Sequence, residues 1–186
     1  MPSSELISTR EIERRIEELA KQISRDYAGA GEIVLVGVLK GAFIFLSDLA
    51  RKLTVPRRIE FIALSSYREG SRWSGVRLIM DLRTGIRDRH VLVVEDIVDS
   101  GRTLKYLLDM LRARGPASVE SCAFVRKRRE VEAEVDVRYV GFEIPDTWVV
   151  GYGLDYDEHF RALPYIAVLE PSGDADSGPG AAPEQR

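Results

Sequence analysis

An α/β fold, with a mainly parallel twisted sheet flanked by helices and a small hood or flap lobe, is predicted by three features of the sequence. Two apolar runs, Ile33–Val38 and Val91–Val94, lack polar alternation, the pattern of strands buried on both faces. Helical patterns separate such runs from the extended segments that follow, which favours parallel pairing through crossovers. Extended segments late in the chain have no helices between them and supply the accessory lobe.

The elements follow in order. Ser8 caps a first helix, and Glu11 three residues on completes a capping box. Ile12, Ile16, Leu19, Ile23 and Tyr27 recur at helical spacing, and Gly29 and Gly31 stop the helix. After the Ile33–Val38 strand, Lys40-Gly41 breaks the pattern and Ala42–Lys52 reads as a crossover helix. Arg58–Leu64 is a strand, and the polar stretch Ser65–Gly75 reads as a long, mobile hairpin loop before Val76–Met80. The Val91–Val94 strand leads to a helical pattern over Thr103–Arg114 that ends at Gly115-Pro116. Further strands are expected at Val119–Val125, Val135–Val140, Trp148–Tyr152 and Ile166–Leu169. Residues 1–170 are read as one domain. Pro171–Arg186 has almost no apolar content and reads as a disordered tail.

Composition narrows the class. With 186 residues, 45% of them hydrophobic and 31% charged, the chain has enough material for one substantial core. A formal charge of -3 makes no general case for a nucleic-acid surface. The one cysteine, Cys122, lies among Ala123, Phe124 and Val125 and reads as a core residue in a reducing cytosol. No apolar stretch approaches the ~20 residues of a membrane helix, and the N-terminus lacks an export-type apolar region. Cytoplasmic residence, with no membrane and no nucleic-acid partner, is the expectation. His90 and His159 have no partner at ligand spacing, so a zinc site is not expected.

The chemistry concentrates in Val91–Leu104. A buried strand ends in Glu95 and Asp96, and a turn of Asp99-Ser100-Gly101-Arg102-Thr103 opens a helix. Turn amides and a helix N-terminus make an anion site suited to a phosphate monoester. Ser100 and Thr103 add hydroxyl donors, and Gly101 permits close backbone approach. Glu95 and Asp96 can hold ribose hydroxyls directly or through magnesium. The string is neither a Walker loop nor a dinucleotide fingerprint.

On these residues the sequence resembles the type I phosphoribosyltransferases, and within them the hypoxanthine-guanine phosphoribosyltransferases. The resemblance covers all but the last fifteen or so residues and implies the fold of that family. Glu95-Asp96-Ile97-Val98-Asp99-Ser100-Gly101 matches the phosphoribosyl-pyrophosphate signature. Leu39-Lys40-Gly41 matches the pyrophosphate loop, where the family often has a cis bond before the lysine. Ser66-Tyr67, in the stretch ending Ser74-Gly75, matches a flap that closes over the reaction centre and excludes water. Lys127 matches a lysine that donates to the purine's exocyclic oxygen. By itself, the run Arg126–Arg129 also fits a solvated basic patch or an RNA contact.

The block from Gly141 to Asp155, followed by Arg161, is the most subfamily-specific. The resemblance gives Trp148 the role of stacking on the purine, where many relatives carry Phe, and gives Val149 backbone contacts to the base. It makes Asp155 a magnesium ligand beside Glu95 and Asp96, and Arg161 a clamp on pyrophosphate. An isolated Trp would equally be core. The implied reaction joins a 6-oxopurine to phosphoribosyl pyrophosphate with Mg2+ as cofactor, and Asp99 acts as acid/base near purine N7. A homodimer or homotetramer is implied as well. The competing reading is a regulatory protein of the same fold that senses phosphoribosyl pyrophosphate; the basic cluster Lys127–Arg129 is its foothold.

Overall fold

The computed structural model describes residues 2–69, 72–128 and 135–170, with backbone alone at 2–3, 66–69 and 72–74. Six strands form the main sheet: β2 (Ile33–Leu39), β3 (Arg57–Glu69), β4 (Arg72–Met80), β5 (His90–Val98), β6 (Ser118–Arg128) and β7 (Tyr139–Pro145). Their order is β4-β3-β2-β5-β6-β7, with every pair parallel except the β3–β4 hairpin at one edge. Three helices cover it: α1 (Thr9–Asp26), α2 (Phe43–Lys52) and α3 (Arg102–Arg112).

Alternation along the strands explains the unbroken apolar runs. Leu35, Leu92, Val94, Cys122 and Phe124 point to one face and pack with the buried residues of α1 and α2. Val34, Val36, Val91, Val93 and Ala123 point to the other, where Leu104, Leu107, Leu108 and Leu111 of α3 cover them. Both faces are therefore dry, and a strand with one polar face would leave charges unsolvated there. Cys122 lies wholly within the first layer, and burial pushes its thiol above the ordinary range.

α1 begins as its sequence dictates. The Ser8 hydroxyl accepts from the Glu11 amide, and the Glu11 carboxylate accepts from the Ser8 amide at 2.9 Å. Its Arg15 reaches the edge strand β7, donating to the carbonyls of Gly141 (2.8 Å) and Val140 (2.7 Å). That contact occupies acceptors an edge strand would otherwise expose.

A second, three-stranded sheet forms the hood: β1 (Pro2–Ile7), β9 (Ile166–Leu169) and β8 (Val149–Val150) in the order β1-β9-β8. β1 is absent from the sequence reading. Its polar composition gives little strand signal, and it forms by antiparallel pairing with β9 at the far end of the chain. Other expectations shift. Residues 65–69 and 72–75 continue the β3–β4 ladder, with Ser65 opposite Arg77 and Tyr67 opposite Gly75, so these positions belong to strands and not to a loop, and residues 70 and 71 lie outside the described residues. The expected strand Val135–Val140 lies at Tyr139–Pro145, because pairing with β6 begins at Cys122 and Tyr139. The expected strand Trp148–Tyr152 is confined to Val149–Val150, where Gly151 (φ 102°) and Tyr152 (φ 49°) turn the chain away. Residues 171–186 lie outside the described residues. Among those described, no helix is long and apolar enough to cross a membrane.

Candidate active site

The chain runs from β2 outward to β3 and β4, then returns to place β5 on the other side of β2. Such a reversal of strand order opens a crevice at the carboxyl ends of the two central strands. A cleft of about 470 Å³ lies there, lined by Lys40 and Gly41 after β2, Glu95 to Asp99 of β5 and its turn, Ser100, Gly101, Thr103 and Leu104, and Glu158 and Arg161 of the hood. Ala63, Leu64, Ser65 and Ile79 close its outer side.

Glu95 and Asp96 sit inside β5, not beyond its end, so the parallel ladder holds their backbone rigid. Adjacent strand residues point to opposite faces, yet both carboxylates are nearly inaccessible, Glu95 at 7% and Asp96 at 2%. One oxygen of each, Glu95 Oε2 and Asp96 Oδ2, has no hydrogen-bond partner among the described residues. Burial pushes both groups above the ordinary carboxylate range. The Asp96 charge adds to the shift at Glu95, and Arg161 opposes the shift at Asp96. Orphaned buried acceptors of this kind fit hydroxyl donors or a hard divalent cation.

Glycine makes the layer above possible. A Cβ on Gly41 would fall 1.5 Å from Asp96 Oδ2, and one on Gly153 would fall 2.0 Å from the Gly41 carbonyl. The strand carboxylate, the β2–α2 turn and the hood loop are thus stacked in contact. The Leu39–Lys40 peptide within that turn is cis.

At the end of β5, Gly101 caps α3 with a left-handed φ of 79°, a conformation that costs glycine nothing. No side chain caps this helix, whose N-terminal residues Gly101 and Thr103 line the cleft beside Ser100. Arg102 does not line the cleft.

From the hood, Arg161 is held by the Gly153 carbonyl (2.8 Å) and Asp155 (2.8 Å) and reaches Glu158 at 3.4 Å. Asp155 also accepts the Glu158 amide at 2.8 Å. Of the three carboxylates expected at a cation, Glu95 and Asp96 line the cleft, while Asp155 pairs with Arg161. Asp155 is occupied by the arginine and an amide, and no group of three potential metal ligands occurs among the described residues. Glu158 also meets Lys40 Nζ at 3.0 Å, and this hydrogen bond holds its carboxyl below the ordinary range.

A second constellation adjoins the cleft at the ends of β6 and β7. Strand alternation turns Lys127 inward, where it is 6% exposed, while Arg126 and Arg128 pair with Glu143 outside. Lys127 Nζ lies 3.5 Å from Asp99, 3.5 Å from Asp146 and 5.5 Å over the Trp148 ring. Val149 is buried beside Trp148 in β8.

Residues 2–157 match the phosphoribosyl transferase domain. This chain belongs to that family. It is 46% identical over 173 residues to a hypoxanthine-guanine phosphoribosyltransferase of Dictyostelium discoideum, covering 90% of this chain and 96% of the relative. A relative of the same description in Mycobacterium bovis is 48% identical over 174 residues, covering 90% and 86%. The solved hypoxanthine phosphoribosyl transferase of Trypanosoma cruzi was studied for its C-terminal region's role in oligomeric state and activity. It superposes with a TM-score of 0.87 at 44% identity, covering 91% and 92%.

In this phosphoribosyltransferase, one cleft gathers Lys40, Gly41, Glu95, Asp96, Asp99, Ser100, Gly101, Thr103 and Arg161. Lys127 stands beside Asp99 and over the Trp148 ring, and Arg102 and Asp155 do not line the cleft. The Ser66 and Tyr67 side chains lie outside the described residues. Sequence reasoning did not single out Asp146 or Glu158. The only signal for Asp146 was its place just after a strand, and Glu158 carried none, since a left-handed turn aims it at the cleft.

The raised carboxyls have a consequence for stability. A folded-state value above the unfolded one, about 4.3 for Glu, means that the ligand-free protein loses stability as pH rises through and above that value. Glu95→Gln removes one buried charge. We expect it to raise the thermal midpoint of the ligand-free protein by about 3–6 °C at pH 8, with a smaller gain at pH 5. Scanning calorimetry at both pH values checks this, and no gain at pH 8 would count against the orphaned pair.

Proposed function

We propose that this protein transfers the 5-phosphoribosyl group of phosphoribosyl pyrophosphate to N9 of hypoxanthine, and of guanine, yielding IMP or GMP and pyrophosphate in purine salvage. The observation that carries the reading is the meeting of two half-sites at Asp99. On one side is the helix-capped phosphate turn; on the other a buried lysine packed over a tryptophan. An ammonium has donors and no acceptor, so Lys127 suits a 6-oxo group and not a 6-amino group.

In this reading the Ser100–Thr103 turn holds the 5-phosphate, with charge-assisted hydrogen bonds from the α3 amides. The orphaned oxygens of Glu95 and Asp96 accept from the ribose hydroxyls. Magnesium, for which Glu95 and Asp96 are the fitting donors, neutralises charge on the diphosphate when bound. Lys40 and Arg161 face that leaving group. The C1′–oxygen bond breaks with its electron pair on pyrophosphate, and the N9 lone pair forms the new bond. Lys127 donates to the 6-oxygen, the Trp148 face supports the ring, and Asp99 takes up or shares the proton at N7. Ser66 and Tyr67 are assigned to a flap that excludes water during this step.

The regulatory alternative has less behind it. Lys127 is buried, Arg126 and Arg128 pair with Glu143, and Arg129 lies outside the described residues. The Dictyostelium discoideum and Mycobacterium bovis relatives, which match along 90% of the chain, are transferases by name. Residence in the cytosol is part of the proposal and accords with one buried, unpaired cysteine. A homo-oligomer is also proposed. Phe43, Ile59 and Phe61 are large apolar side chains that are 38–45% exposed. Ile59 and Phe61 share the α2 side of β3, where Phe61 packs toward Gly37 beside Leu46. Exposed apolar side chains on one side of an outer strand suit contact with a second copy of the chain.

Incubating the protein with hypoxanthine, phosphoribosyl pyrophosphate and magnesium should yield inosine monophosphate by absorbance; no product with any oxopurine would favour the sensor. Asp99→Asn should lower kcat about 100-fold with a small change in phosphoribosyl pyrophosphate affinity, and near-normal turnover would remove Asp99 from the reaction. Trp148→Ala should raise KM for the purine about tenfold and spare that for phosphoribosyl pyrophosphate; equal changes would argue against stacking. Sedimentation should give a mass above one chain, reduced by Phe61→Glu, and a monomeric parent would refute the interface.

A further inference from the structure

The cleft holds an anion of its own. Glu158 presents its two carboxylate oxygens to two different cations, Oε2 to Lys40 Nζ at 3.0 Å and Oε1 to Arg161 at 3.4 Å. Lys40 comes from the turn after β2, and Arg161 from the hood loop, so the carboxylate bridges the two parts of the molecule. Both cations line the same cleft as Glu158, and nothing above gives Glu158 a role.

Its position is imposed by the backbone. Asp157, Glu158 and Phe160 all adopt left-handed φ values, 50°, 64° and 72°. Residues with a Cβ enter that region only at an energetic cost. Such strain persists where neighbouring bonds over-determine it. Here those bonds are the Glu158 amide to Asp155 (2.8 Å) and the Gly153 amide to the Arg161 carbonyl (2.9 Å). The turn aims a carboxylate at a place where two cations converge.

We propose that the Glu158 carboxylate is a built-in occupant of the diphosphate subsite, which an incoming diphosphate must displace from Lys40 and Arg161. The inference rests on the assignment of those two cations to the diphosphate. Two oxygens of a diphosphate would make the same pair of contacts with more charge. The internal pair is weak enough to exchange. Lys40 and Glu158 side chains are 67% and 62% exposed, where water screens the attraction. Glu158 therefore holds the two cationic heads together in the empty cleft and sets a threshold that favours a multiply charged ligand over a single carboxylate or chloride.

The distinguishing feature of this role is its sign. A residue that contributed to binding would weaken it when neutralised, whereas a competitor would strengthen it. Glu158→Gln keeps the shape and an acceptor oxygen while removing the charge. Titration calorimetry of the full chain with inorganic pyrophosphate and magnesium should give a Kd about three- to tenfold lower for Glu158→Gln than for the parent. Glu158→Asp, which retains the charge on a shorter arm, should fall between the two. Glu18→Gln, an exposed carboxylate on α1, should match the parent and controls for net charge. Unchanged or weaker binding by Glu158→Gln, or an equal gain in Glu18→Gln, would overturn the inference. A parent that binds no pyrophosphate would instead overturn the assignment of Lys40 and Arg161, and this inference with it.

Discussion

Everything at the cleft depends on two carboxylates being held, uncompensated, inside a rigid parallel strand. Glu95 and Asp96 cannot turn toward bulk water, because β5 lies between β2 and β6 and both sheet faces are packed. Removing them from water costs stability unless a ligand supplies donors or positive charge. The apolar mass of Val91–Val94 and the α3 leucines anchors the strand that carries this cost. The site is thus a place where the ligand completes the electrostatics of the fold.

The same constraint explains where glycine is required. Gly41 lets the β2–α2 turn lie directly on Asp96, and Gly153 lets the hood loop lie on Gly41. A side chain at either point would separate the layers and carry Lys40 or Arg161 away from the carboxylates. Arg161 then tempers the charge of Asp96 from above. The hood is fixed in its turn by the pairing of β1 with β9, so residues near the two ends of the described chain help to set the height of an arginine over the cleft.

Charge around the cleft is arranged as exchangeable pairs. Lys127 is shared between Asp99 and Asp146, and Arg161 between Asp155 and Glu158, with Lys40 on Glu158 as well. A cation buried without such partners would be expensive. With them each cation has a partner in the empty cleft that a ligand's own charges can replace. Arg126 and Arg128, which alternate to the outer face and meet Glu143, take no part in this exchange.

The sequence by itself determined the elements whose signal is local: the capping box at Ser8, the two-sided burial of Val91–Val94, and the turn whose Gly101 admits a left-handed cap. It also pointed to Glu95, Asp96 and Asp99, because acids after an apolar strand and before a Ser-Gly-x-Thr turn form a contiguous pattern. Tertiary structure alone decided the rest. β1 exists only through a partner some 160 residues away, which composition cannot announce. Asp155, expected beside Glu95 and Asp96, is turned to Arg161 by a loop of left-handed residues, and the same loop brings Glu158 into the cleft. Sequence patterns report which residues will be buried. Which charges meet depends on turns and long-range pairing, and those were fixed only when the two sheets closed on each other.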